Sequence, residues 1–250
     1  MISLRKVQVK TTQGIPLIHE ISLEVAETMM IGVYGPNGSG KSTLLKVIAG
    51  LNNDRVITGE NWIDQKPIFS NALSVEERAL KVLYLGSDFQ APFQISVREL
   101  LDMARRVNPS SGNITEVAER FGITPLLSRS FDQMSDGEKQ RVMIARGVIQ
   151  APRWLILDET FSKIDLDRSF QLAHELKEMM EKGTGLILAS HDLNLISEMV
   201  DELWLMKDGR ILEAGTVEDV LTTESLQKLY PGRLVHVVRS PDNGKKKVIY

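Results

Sequence analysis

The 250-residue chain contains no cysteine. Disulfides, thiolate catalysis and cysteine-ligated metals are therefore excluded, and the absence suits a reducing compartment such as the cytoplasm. No stretch approaches the roughly 20 apolar residues of a bilayer-spanning helix. The opening, MISLRKVQVK, lacks the apolar run of a signal peptide. The chain is thus not expected to cross a membrane by itself; any membrane role comes through a partner. Excess positive charge is also missing. Thirty basic residues face 33 acidic ones, a net charge of −3, which gives no reason to expect non-specific nucleic-acid binding. No internal repeat or low-complexity segment is present. What remains is ordinary globular composition, 42% hydrophobic and 25% charged, in a length that suits one large domain or two small ones.

Alternation in KVQVK and HEISLEVAE predicts strands that bury one face. MMIGVY is continuously apolar, as in a strand buried on both faces. GPNGSG then breaks the pattern, and KSTLLKVIAG takes helical spacing with Gly50 as its C-cap. ITGENWIDQKPI reads as strand and turn, and ALKVLYL as a strand. From about Val97 to Gln150 the pattern is helical. RWLILD and TGLILAS are apolar runs without alternation, which predicts central parallel strands. DELWLMKDGRILEAG predicts a hairpin around Asp208–Gly209, and GKKK near the C-terminus a solvated turn.

Three short stretches carry chemistry. Gly35, Pro36, Asn37, Gly38, Ser39, Gly40, Lys41, Ser42 and Thr43 fit the phosphate loop G-x-x-x-x-G-K-[ST]. Glycines let the backbone curl so that several N–H groups point at one anion. The helix opening near Lys41 adds its positive end. Lys41 is placed to reach the β- and γ-phosphates of a nucleotide, and the Ser42 hydroxyl to ligate Mg²⁺. RWLILDET ends an apolar strand on Asp158, a candidate Mg²⁺ holder, and Glu159, which can orient or deprotonate an attacking water. LILASHDLN ends another such strand at His191, a candidate to contact the γ-phosphate and to hold the attacking water and Glu159 in register.

MSDGEKQR is ambiguous by itself. Ser135 and Glu138 form a capping box for the helix that follows. Alternatively, the helix end is half of a nucleotide site whose other half lies on a second chain.

In order, the phosphate loop, MSDGEKQR, LILDE, SKID and SHD resemble the ATP-binding cassette family over nearly the whole chain. The resemblance implies an α/β phosphate-loop NTPase cassette: a mainly parallel core sheet, an antiparallel β arm and a helical subdomain. The cassette would span 1–222, with the helical subdomain at about 86–150, followed by a C-terminal extension at 223–250. It implies ATP and Mg²⁺ as cofactors. It also implies a head-to-tail dimer with a second copy, in which Ser135, Asp136, Gly137 and Glu138 meet the ATP held by the partner. Ser162 and Asp165 of SKID would lie in the loop joining the two sites. The segment Gly215 to Tyr230 is similar to the tails of ATPases serving iron-siderophore, haem and cobalamin importers. This implies membrane permease partners and a peripheral place on the cytoplasmic face of the membrane. The alternative is a non-transport cassette ATPase, such as one of iron–sulfur cluster assembly.

Three positions depart from the family pattern. The first hairpin has no aromatic to stack on adenine; Thr12 lies nearest that place. Where a Gln ordinarily follows the strand LKVLYL and joins Mg²⁺ to the membrane partner, this chain has GSDFQAPF, with Ser87 in register and Gln90 three residues on. Thr160 replaces the usual Pro after Asp-Glu, a change of turn shape.

Overall fold

The computed structural model describes residues 1–51, 55–69, 73–86, 89, 94–110, 112–160, 166–241 and 244–249, with backbone alone over 166–171. The expected strand–loop–helix is formed by β3 (Met30–Tyr34) and α1 (Lys41–Ile48). Gly50 sits one residue beyond the C-cap, Ala49, in the left-handed region at φ +72°. The N–H groups of Gly50 and Leu51 donate to the carbonyls of Val47 and Lys46. This closes the helix as a Schellman motif.

β3 lies inside a six-stranded sheet with β6 (Val82–Gly86), β7 (Trp154–Asp158), β8 (Gly185–Ala189), β9 (Glu202–Lys207) and β10 (Arg210–Thr216). The order is β10-β9-β3-β8-β7-β6. All neighbours are parallel except the β9–β10 hairpin, whose turn is Asp208–Gly209 as expected, both at positive φ. The unbroken apolar runs have a direct cause. Ile31 and Val33 of β3 pack with Trp154, Ile156, Ile187 and α1 on one face of the sheet. Met30, Leu155, Leu157, Leu186 and Leu188 pack with the helices on the other. Both faces are covered, so neither needs polar residues.

A second, antiparallel sheet of order β2-β1-β4-β5 covers the first of these faces. It comprises β1 (Ile2–Thr11), β2 (Pro16–Val25), β4 (Arg55–Ile63) and β5 (Lys66–Pro67). Helices α3 (Val97–Val107), α4 (Ile114–Arg120) and α5 (Asp136–Gln150) form the expected helical region. Further along lie α6 (Leu166–Glu181), α7 (Leu193–Met199), α8 (Val217–Val220) and α9 (Thr223–Leu229). Strands β11 (His236–Arg239) and β12 (Lys246–Ile249) close the chain as a hairpin.

Two expectations are corrected. ALKVLYL is not strand throughout: Val75–Lys81 forms helix α2, and β6 begins at Val82. The cause is the capping box of Ser74 and Glu77, which fixes the helix start. The GKKK stretch is not a free turn. Lys246 and Lys247 belong to β12, where Val248 is buried. The Asn194 side chain accepts from the Val248 N–H (2.7 Å) and donates to its carbonyl (3.2 Å), tying the strand to α7.

Residues after 222 share the main core. Leu226, Leu229, Val235 and Val248 join the cluster that includes Met30 and Leu188. Tyr230 donates its hydroxyl to Tyr34 at 3.0 Å, at the end of β3. Among the described residues, no helix is long and apolar enough to cross a membrane.

Candidate active site

The parallel strands place four segments side by side at their carboxyl ends. β3 leads into Gly35, β7 ends on Asp158, β8 delivers Ser190 and His191, and β6 ends at Gly86. This edge is where open parallel sheets hold ligands. A cleft of about 760 Å³ opens there, lined by residues 37–43 together with Leu17, Glu159 and His191.

The phosphate loop is fixed from below. A Cβ on Gly35 would lie 2.1 Å from the Met206 carbonyl oxygen, so only glycine fits. Gly40 is at φ +102°, and the Gly209 N–H donates to the Ser39 carbonyl at 2.9 Å. No side chain caps α1 at Gly40. The first N–H groups of a helix have no intrahelical partner, so those of Lys41 to Thr43 are left for an anion, with the helix dipole behind them. The buried Lys41 donates Nζ to the carbonyls of Gly35 (2.8 Å) and Pro36 (3.2 Å), keeping a third N–H for a phosphate oxygen. Burial pushes its ammonium below the ordinary lysine range, while Glu159 and Asp158 pull it back up.

Asp158 is buried. Its Oδ2 accepts from the Tyr84 hydroxyl at 2.6 Å, and its Oδ1 has no partner among the described residues. An unpartnered buried carboxylate oxygen is costly, and with the Ser42 hydroxyl it supplies the hard oxygen donors that Mg²⁺ takes beside phosphates and water. The residues present therefore fit that ion.

Glu159 leaves the strand at φ +57°, a left-handed conformation rare for a residue with a side chain. Its N–H donates to the Ala189 carbonyl at 3.0 Å, which anchors the turn on β8. The result is that Glu159 Oε2 lies 2.8 Å from His191 Nδ1, across 32 residues of sequence. Against an ionised carboxylate, Nδ1 carries the proton and donates, and the ring's Nε2 is presented elsewhere. Strain of this kind persists where surrounding structure enforces it, commonly at reaction centres. His191→Ala is expected to slow ATP hydrolysis by about 10²-fold through loss of positioning, with nucleotide affinity unchanged in equilibrium binding.

Ser135, Asp136, Gly137 and Glu138 are not among the residues lining this cleft. Ser135 caps α5 with a full box: its N–H and hydroxyl each donate to Glu138 Oε2 at 2.9 Å. The same box opens α2 at Ser74 and α3 at Ser96, so the capping pattern alone carries no functional meaning. The Ser87, Gln90, Ser162 and Asp165 expectations lie outside the described residues. Thr12 sits in the β1–β2 turn and does not line the cleft; Leu17, on β2, is its apolar wall. Thr160 is buried, and its hydroxyl has no partner among the described residues. Tyr84, which reaches Asp158, carries no separate signal in the sequence because it lies inside the apolar run VLYL.

A phosphate loop at the carboxyl edge of a parallel sheet, facing an acid pair and a histidine on adjacent strands, defines a nucleoside-triphosphate hydrolase of the phosphate-loop class. A model of the ABC transporter family matches residues 18–162. The hemin import ATP-binding protein HmuV of Escherichia coli O157:H7 is 32% identical, over 100% of this chain and 99% of that protein. The vitamin B12 import ATP-binding protein BtuD of Salmonella heidelberg is 32% identical over 84% and 85%. A solved ATP-binding subunit of an ABC transporter superposes with a TM-score of 0.78 at 25% identity, covering 92% of this chain and 98% of that one. The chain belongs to the ABC transporter family, as an ATP-binding, ATP-hydrolysing subunit.

Proposed function

We propose that this subunit powers import of an iron chelate, haem or cobalamin through partner permease subunits, working as a head-to-tail dimer on the cytoplasmic face of the membrane. The observation that carries the ATPase part is the Glu159–His191 contact at 2.8 Å beside the phosphate loop. The cargo class rests on the hemin and vitamin B12 importers it is similar to.

In this reading residues 35–43 grip the phosphates through backbone N–H groups and Lys41. Ser42 and Asp158 would hold Mg²⁺, which would supply neutralisation of phosphate charge. Glu159 accepts the proton of the attacking water, and His191 holds the carboxylate in line. Ser135, Asp136, Gly137 and Glu138 of the second copy bring the α5 N-terminus to the γ-phosphate, closing the site against water. Closure and reopening move the permease. Leu17 contacts the nucleoside by aliphatic packing, in place of the aromatic that the first hairpin lacks.

The test is uptake by cells lacking the gene, supplied in turn with labelled haem, cobalamin and ferric siderophore. Loss of uptake of one of these, restored by the wild-type chain but not by Glu159→Gln, is the expected result. Unchanged uptake of all three would overturn the cargo assignment.

A further inference from the structure

Tyr84 lies on β6, the outermost strand of the parallel sheet, two residues before its carboxyl end, and has no role in the phosphate chemistry above. β6 and β7 are in parallel register with Tyr84 beside Ile156 and Gly86 beside Asp158. Tyr84 therefore sits two residues before Asp158 on the neighbouring strand, on the same face of the sheet. Its hydroxyl donates to Asp158 Oδ2 at 2.6 Å. An O–H···O⁻ bond of that length is charge-assisted and stronger than a neutral one. The other side of the tyrosine is held too: Lys46 Nζ, from α1, lies 5.7 Å from the centre of its ring. The phenol is thus wedged between the helix that follows the phosphate loop and the carboxylate that ends β7.

The consequence falls on the carboxylate. With Oδ2 engaged, Oδ1 is the oxygen left without a partner in a buried position. A carboxylate free to rotate would present either oxygen, or chelate with both. One oxygen held by a fixed donor presents the other in a single orientation. Ligating carboxylates depend on such outer partners to fix their geometry and basicity.

We infer that Tyr84 is the positioning residue of the cation site: its phenol occupies Asp158 Oδ2 and so reserves Oδ1 for Mg²⁺. The inference rests on the assignment of Asp158 to Mg²⁺ made above. A purely structural alternative is that the hydrogen bond only satisfies a part-buried polar pair between β6 and β7. The two readings differ in what the metal feels. Loss of a structural bond lowers stability and leaves metal linkage alone. Loss of a positioning bond weakens metal binding whether or not stability changes.

The experiment is equilibrium binding of ATP to wild type and Tyr84→Phe, first in EDTA and then across a Mg²⁺ titration, with thermal melting recorded in parallel. Tyr84→Phe keeps the ring and removes one hydroxyl. ATP affinity in EDTA is expected to be unchanged, because the phosphate loop is intact. The Mg²⁺ concentration at half effect is expected to rise about 10-fold. In an Asp158→Asn background, the same Tyr84→Phe change is expected to shift the Mg²⁺ midpoint no further, since the two groups act as one unit. An unchanged Mg²⁺ midpoint in Tyr84→Phe overturns the inference, even if the melting temperature falls. A full additional shift in the Asp158→Asn background also overturns it. Failure of wild type to bind ATP under either condition would overturn the nucleotide site itself, and this inference with it.

Discussion

Glu159→Gln is expected to bind ATP as tightly as wild type and to lose turnover by about 10²–10⁴-fold, the range of a positioned general base. The substitution is nearly isosteric, so the turn at φ +57° and the N–H bond to Ala189 survive it. What changes is basicity. An amide cannot take a proton from water, and its contact with His191, 2.8 Å in the native protein, no longer joins a carboxylate to a ring N–H. The phosphate contacts proposed for residues 35–43 are untouched by the change, so binding and chemistry are expected to separate cleanly. Steady-state hydrolysis and equilibrium nucleotide binding on the same preparation check both halves. Wild-type turnover in the variant would remove Glu159 from the role of base.

Ser135→Arg has the second large effect, and it separates two uses of one motif. As a cap alone, Ser135 is worth about 0.5–2 kcal/mol of stability, and its loss would leave the ATPase of the folded fraction intact. The control is within the protein, since Ser74 opens α2 with the same box. Ser74→Arg removes a cap of the same kind at a helix assigned no nucleotide role. If Ser135 meets ATP held by a second copy, Ser135→Arg places a bulky side chain in the closing interface. Hydrolysis then falls to background while ATP binding by the monomer persists, and Ser74→Arg stays active. Equal activity of the two variants, per folded molecule, would reduce MSDGE to a helix cap.

The parts of the site legible in the sequence are those whose physics is local. The phosphate loop needs a strand, glycines and a helix in immediate succession, and all three lie between Met30 and Ile48. Asp158 and Glu159 were marked by the abrupt end of an apolar run. The hairpin at Asp208–Gly209 followed from two residues that tolerate positive φ. Long-range features were legible only in part. The strand-end positions of Glu159 and His191 placed the two in one site, but their direct contact depends on the β7–β8 register, and that Tyr84 reaches Asp158 depends on the β6–β7 register. Neither pairing leaves a trace in local periodicity. The start of α2 was present as Ser74-x-x-Glu77 but was outweighed by the apolar run after it. β12 has no local signature; a lysine-rich stretch becomes a strand because Asn194 on α7 and β11 provide its hydrogen bonds.

The central claim is that two copies close over ATP, each completing the other's site. The most direct measurement is molar mass by light scattering, with ATP and Mg²⁺, for Glu159→Gln and for Glu159→Gln combined with Ser135→Arg. Hydrolysis is expected to be blocked in both, so mass reports closure alone. The account predicts a dimer that depends on ATP for the single variant, and a monomer with ATP still bound for the double. A single variant that stays monomeric at saturating ATP, or a double variant that dimerises as readily, would contradict it.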